Sequence, residues 1–443
     1  MSNPTSSSVL HRRHAMQAAL GGLLGVSASG WLPSMAAASD SSKRKRKCIL
    51  LWMGGGPSQT DTFDMKPDHS NGGELKEVQT SVAGLRFSEH LPKLAKLADQ
   101  LAVVRSVNTR EGDHSRGTYL MRTGQRPGSP VQYPTIGSSI SKELAIADAR
   151  LPNYFSVNPT TQINPDAFSP GFLGPRYAAA TVGEQQGPEQ PAGDTFAEMK
   201  VDNLTLPAGV SLEQAHQRQK LWDVLQTGFR ETHRASAIEA QDTVYRKAID
   251  MMTSDEVEAF DLAKESDEVR AAYGRGRFGQ GCLIARRLIE RDVPFVEVSL
   301  GSGGVGWDTH QDNFNLVRRL SEELDNGWGT LMTELKDRDL LKDTTILWMG
   351  EFGRTPQING MTGRDHFPNA WTCVFAGGGI AGGQAYGSTS KDGTEVEENK
   401  VSEADILATY CQAVGVDPET ENVSSLGRPH KIAEGTAISD ILA

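Results

Sequence analysis

The sequence predicts an α/β fold in which a central, mostly parallel sheet carries helices on both faces, with a helical insertion over about 211–291. Three observations predict it. Segments 48–53, 295–300 and 345–349 are continuous apolar runs with the length of strands buried on both faces. Each runs into a loop of glycines and polar side chains, and in an open α/β sheet the crevice lies beyond the carboxyl ends of the strands. Between the second and third runs, Val317, Leu320, Leu324, Trp328, Leu331 and Leu335 recur at spacings of three and four. That is one buried helix face, so this region is a strand, helix, strand crossover.

The amino terminus reads as a targeting segment over residues 1–38, followed by a basic linker over 39–47 and a single α/β domain over 48–443. Arg12 and Arg13 precede a weakly apolar run rich in Gly and Ala, and Ala36, Ala37 and Ala38 offer a small-residue cleavage site. This pattern is similar to a twin-arginine export signal, so the export machinery is an expected partner and the expected location is periplasmic or extracellular. The formal charge is −11, and because the first 38 residues hold two Arg and no acid, the remainder carries −13. An acidic surface argues against nucleic acid as a partner. No later segment has about 18 or more continuous apolar residues, so no membrane span is expected. Four scattered cysteines, Cys48, Cys282, Cys373 and Cys411, make neither a disulfide framework nor a cysteine-rich zinc site.

Along the chain, the first strand leaves through GGGPSQTDTFDMKPD, whose glycines allow a tight turn and whose Ser58, Thr60, Asp61 and Asp64 are short polar groups. A short helix over 91–97 and a strand over 101–105 lead to Asp113, His114, Ser115 and Arg116, just before a helix expected near Gly117. A helix amino end attracts anions, and Arg116 adds a planar fork for phosphate or sulfate. Residues 127–207 read as extended loops, 211–291 as a helical block, 372–376 as a strand and 402–414 as a closing helix. The second strand run leads to Asp308 and His310, and the third to Glu351 and then Asp365 and His366. Each of these side chains is also common in a solvated loop. Two successive strand ends that each deliver an acid and a histidine favour a metal site over chance.

These segments carry a resemblance. The pieces GGGPSQTDTFDMKPD, AYGRGRFGQGCLIARRLIERDVPFVEV, GWDTHQDN, GEFGRTP and GRDHFPNAW resemble the exported family called domain of unknown function 1501, within the alkaline phosphatase and sulfatase superfamily. The resemblance implies an alkaline phosphatase-like fold and a divalent metal, zinc first, with calcium or manganese as alternatives. It implies metal ligation by Asp308, His310, Glu351 and His366, with Asp365 supporting a ligating His. Phe352 replaces the His of the superfamily's Asp-His pair, and Gly54 and Gly55 stand where its first strand ends in an Asp ligand. No Ser, Thr or Cys takes the nucleophile position in an obvious way, so His114, Ser115 and Ser58 stand as alternatives, and one metal or a rearranged pair is expected.

The function implied is an exported metal-dependent hydrolase of a phosphate or sulfate ester, acting on an anionic small molecule or glycan. The alternative is a noncatalytic binding protein on the same fold, recognising an anionic glycan or a surface partner. For the export signal, replacing Arg12 and Arg13 by Lys is expected to abolish accumulation of processed protein outside the cytoplasm, as cell fractionation would show.

Overall fold

The computed structural model describes residues 46–443 apart from 147–148, 184–192, 202–203, 205, 207–208, 233–248, 250 and 302–305. The chain divides into two units, Met1–Arg44 and Lys45–Ala443. The first unit, with the expected export signal and most of the expected linker, lies outside the described residues.

Among the described residues, the central sheet has eight strands. In chain order they are β1 (Lys47–Met53), β2 (Leu101–Val107), β3 (Tyr154–Val157), β4 (Ala180–Val182), β5 (Phe295–Leu300), β6 (Thr344–Gly350), β7 (Trp371–Gly377) and β8 (Gln384–Tyr386). Across the sheet the order is β8-β2-β7-β6-β1-β5-β3-β4. Only β7 runs against its neighbours; every other pairing is parallel. β1 lies at the middle, and all its residues after Lys47 are buried, which accounts for the unbroken apolar run. Its last residue, Met53, pairs with Leu300 on one side and Gly350 on the other. Three carboxyl ends therefore finish level, and the loops that follow emerge side by side.

Alternation along β1 divides the core into two layers. Ile49, Leu51 and Met53 face one layer with residues of α3 (Arg277–Glu290) and α4 (Asn313–Asp337), including Leu283, Leu324 and Trp328. Cys48, Leu50 and Trp52 face the other with residues of α1 (His114–Thr123), α2 (Ile136–Glu143) and α5 (Glu403–Val414). α4 buries Val317, Leu320, Leu324, Trp328, Leu331 and Leu335, the face read from their spacing, and connects β5 to β6 across β1. Among the described residues, no helix is long and apolar enough to cross a membrane.

Two regions differ from the sequence reading. β3, β4 and α2 lie inside the stretch expected to be loops, because strands of four and three residues are too short to show a period among prolines and glycines. In the block over 211–291, the described residues include the helix Leu212–Thr232, two short 3-10 turns and the helix Asp267–Tyr273 before α3. α3 belongs to the layer packed on the sheet, with Leu283, Leu288 and Ile289 fully buried.

A buried ion pair fixes α1 to β5. Arg122 donates to Glu297 at 2.5 Å and to the carbonyl of Ala167 at 2.7 Å, while Tyr154 and Ser156 donate to the same carboxylate at 2.9 and 3.1 Å. Removing one partner leaves the other charged and dry. Glu297→Ala should therefore lower unfolding free energy by roughly 3–5 kcal/mol in chemical denaturation, and a double Arg122→Met/Glu297→Met variant should regain most of it.

Candidate metal centre

The crevice above the level ends of β1, β5 and β6 gathers side chains from four segments. His114 opens α1, whose first turn is capped by Asp113 accepting from the Arg116 N–H at 3.0 Å. Asp308 and His310 come from the loop after β5, where Thr309 turns the other way and donates to Asn313 at 2.6 Å. Glu351 follows β6 directly, and His366 sits on a two-residue strand paired with Gly353–Arg354.

The three imidazoles share one arrangement. His114 Nδ1 lies 2.7 Å from Glu351 Oε1, His310 Nδ1 lies 2.8 Å from Asp365 Oδ1, and His366 Nδ1 lies 2.7 Å from the carbonyl of Gly112. A carboxylate and a carbonyl only accept, so each Nδ1 must carry the hydrogen. In a neutral ring that leaves each Nε2 as an acceptor. The three Nε2 atoms converge on Asp308 Oδ1, at 3.3 Å from His114, 3.2 Å from His310 and 3.3 Å from His366, and the last two are 3.0 Å from each other. Among the described residues, the buried His114 Nε2 has no hydrogen-bonding neighbour besides its 3.3 Å approach to Asp308.

Acceptors crowded in this way repel one another unless something positive joins them. Protons are one answer. Burial works to lower the His114 pKa, but Asp308 and Glu351 outweigh it and push it up to about 9. Burial also opposes the charged form of Asp308, yet His114, His366 and Arg354 hold its carboxyl well below the usual range. A divalent cation is the other answer. Neutral imidazoles each anchored through the second ring nitrogen, together with one carboxylate, are the donor set of a nitrogen-rich metal site. The ligand atoms of His114, Asp308 and His366 lie within 4.8 Å of one another.

Behind this set stands Arg354, whose side chain has no exposure. It donates to Asp308 Oδ1 at 2.6 Å, to Gly56 O at 3.0 Å and to Gly55 O. Glu351 is also fully buried, and its Oε1 accepts both His114 Nδ1 and the Gly55 N–H at 2.8 Å. Gly55 has φ +103°, and a Cβ there would stand 2.4 Å from the Asp308 N, so the loop after β1 must be backbone alone where it meets Asp308. Phe352 packs under the site, its ring centroid 5.0 Å from His114 and 4.6 Å from His366.

Other candidates lie differently. Ser58 is buried and bonded to Thr60 at 3.1 Å. Arg116 places Nε and one terminal nitrogen on Glu111 at 2.7 and 2.9 Å, which occupies its fork. Ser115 is half-buried beside His114, and its carbonyl accepts from Asn164 at 3.0 Å. All four cysteines are buried, and desolvation pushes their thiols up, so none offers a thiolate. Arg354, Arg364 and the Gly112 carbonyl carry no mark in the sequence of their part here, although the arginines lie within GEFGRTP and GRDHFPNAW.

A family model described as a protein of unknown function, DUF1501, matches residues 45–442. The chain belongs to the DUF1501 family. No curated protein matches it. Solved structures with a similar fold include Ps i-CgsB, at 13% identity over 88% of the DUF1501 chain and 75% of that chain, with a TM-score of 0.41. They also include the PsFucS1 sulfatase from Pseudoalteromonas sp., at 12% identity over 87% and 70%, with a TM-score of 0.39. A third is the C-terminal periplasmic domain of EcEptC from Escherichia coli in complex with Zn, at 11% identity over 91% and 93%, with a TM-score of 0.37. At such scores these likenesses carry no argument about reaction or substrate.

The loops bearing His310 and His366 touch through Gly363, where an added Cβ would lie 1.9 Å from the His310 carbonyl oxygen. Gly363→Ala should push them apart, lowering unfolding free energy by about 1–3 kcal/mol. Thermal melts, and a loosened His310–Asp365 contact seen by histidine NMR, would check this.

Proposed function

We propose that this DUF1501 protein is an exported, metal-dependent hydrolase of a phosphate or sulfate ester, with His114, Asp308, His310 and His366 holding a divalent cation. The observation that carries it is the convergence of three imidazole Nε2 atoms on one carboxylate oxygen, each ring pinned by an acceptor at Nδ1. Three nitrogens and one oxygen favour zinc, with manganese next and calcium, which prefers oxygen, last. When bound, such a cation supplies Lewis acidity toward an ester oxygen or a water molecule.

The protein's own groups do the rest. Glu351, Asp365 and the Gly112 carbonyl orient the three rings, so in this proposal Glu351 acts through His114, which takes the role of a ligand. Arg354 steadies Asp308 and ties it to the loop after β1. Among the described residues, no hydroxyl or thiol is hydrogen-bonded to Asp308 or the three rings. The same feature favours the second reading, a noncatalytic protein that binds an anionic glycan or a surface partner through the centre.

Metal analysis of the purified protein, then a screen of aryl phosphate mono- and diesters and sulfate esters with zinc, manganese or calcium restored, tests both readings. Bound metal with turnover supports the hydrolase, and bound metal without turnover on any ester favours the binding protein. Wild-type metal content in both His310→Ala and His366→Ala would overturn the shared centre. Glu351→Gln should weaken zinc binding by roughly 10–100-fold, since it loosens a ring without removing a ligand. Zinc and a proton compete for His114 Nε2, and the metal-free protein keeps that proton below a pKa of about 9. Zinc affinity should therefore rise with pH up to about 9 and level off above it, with proton release on binding measured by calorimetry in buffers of different ionisation enthalpy.

A further inference from the structure

We infer that Asp61 is a positioning residue that sets the relative placement of the two loops delivering Asp308, His310 and His366. The inference deepens the metal reading above and rests on it for its effect on affinity.

Asp61 lies in the loop after β1 and is fully buried. Both of its oxygens are engaged. Oδ1 accepts from Arg364 at 2.9 Å, while Oδ2 accepts from Arg364 Nε at 2.7 Å and from Asn313 Nδ2 at 2.8 Å. Arg364 immediately precedes Asp365 and His366, and its side chain is also without exposure. Asn313 opens α4 and accepts from Thr309, the residue between Asp308 and His310, at 2.6 Å. One carboxylate thus grips the root of each ligand loop from below. The loops are also joined directly, because the Arg364 N–H donates to the Thr309 carbonyl at 3.0 Å and the Asn313 N–H to the Thr362 carbonyl at 3.0 Å.

Among the described residues, no hydrogen bond joins the Asp61 side chain to any of the four proposed ligands, so its action is through these loops. The chemistry demands a carboxylate there. With Asn at 61, one of the two oxygens becomes an NH2 group, and in either orientation that group faces an Arg364 donor. The fork would break while the shape stayed the same.

The test compares wild type with Asp61→Asn under conditions where both are fully folded by circular dichroism, using zinc affinity and amide exchange of Arg364 and Asn313. The expected result is zinc binding weaker by roughly 10–100-fold, with both amides exchanging faster by about tenfold or more. A merely structural Asp61 predicts a lower melting temperature with unchanged zinc affinity and unchanged relative protection of these two amides. That outcome, or faster exchange on only one loop, overturns the inference. Should wild type bind no zinc, the metal reading falls, and exchange alone decides: joint loosening of both loops sustains the tether, and anything else ends it. Should Asp61→Asn fail to fold, Asn313→Ala takes its place, cutting the link to Thr309 but leaving the Arg364 pair. Weaker zinc binding then supports the inference, and wild-type affinity overturns it.

Discussion

An imidazole has two nitrogens, and engaging one decides what the other can do. In this protein, acceptors occupy Nδ1 of His114, His310 and His366, and each acceptor is itself fixed: Glu351 by the end of β6, Asp365 by the turn beside His366, and Gly112 by the approach to α1. Those three contacts direct the remaining lone pairs to one place beside Asp308. Much else in the crevice follows from the need to hold acceptors so close, including a fully buried arginine that donates to Asp308 from the protein side. Desolvation makes Arg354 less willing to hold its charge, while Asp308 works in the opposite sense. Both gain from being paired.

The sheet makes this geometry cheap to specify. With β5 and β6 flanking β1 and ending level with it, loops far apart in sequence begin at neighbouring points. Side chains then need to reach only one residue beyond a strand, as Glu351 does, or cross a short loop, as Asp308 does. The loop after β1 contributes little side chain to the centre itself. It gives backbone instead: the Gly55 N–H to Glu351, and the Gly55 and Gly56 carbonyls to Arg354. Deeper in the same loop, Asp61 and Gln59 reach Arg364 and the Arg354 backbone, so a segment without ligands frames those that have them.

Beneath α1, the Arg122–Glu297 pair performs a related task. It fixes the helix that starts at His114 to the strand that leads to Asp308, so two groups meeting at 3.3 Å are held from the far side of the helix as well. The ion pair lies inside the sheet-to-helix packing, with both side chains almost without exposure.

The sequence by itself determined the strands at 48–53, 295–300 and 345–349 and the apolar face of α4, because burial on both faces and a 3.6-residue period leave local marks. It also determined that Asp308, His310, Glu351 and His366 follow strand ends. Only the tertiary structure decided that Glu351 lies behind His114, that His114 shares the crevice with Asp308, His310 and His366, and that Arg116 is engaged by Glu111. Likewise, β3 is a strand because β5 offers it an edge to pair with, and β4 because β3 does, not because of any pattern of their own. The physical reason is the same throughout. A residue's period and neighbours in sequence fix its element and its face, but which nitrogen of a ring is left free depends on an acceptor that the fold brings to it, 55 residues away for His310, 237 for His114 and 254 for His366.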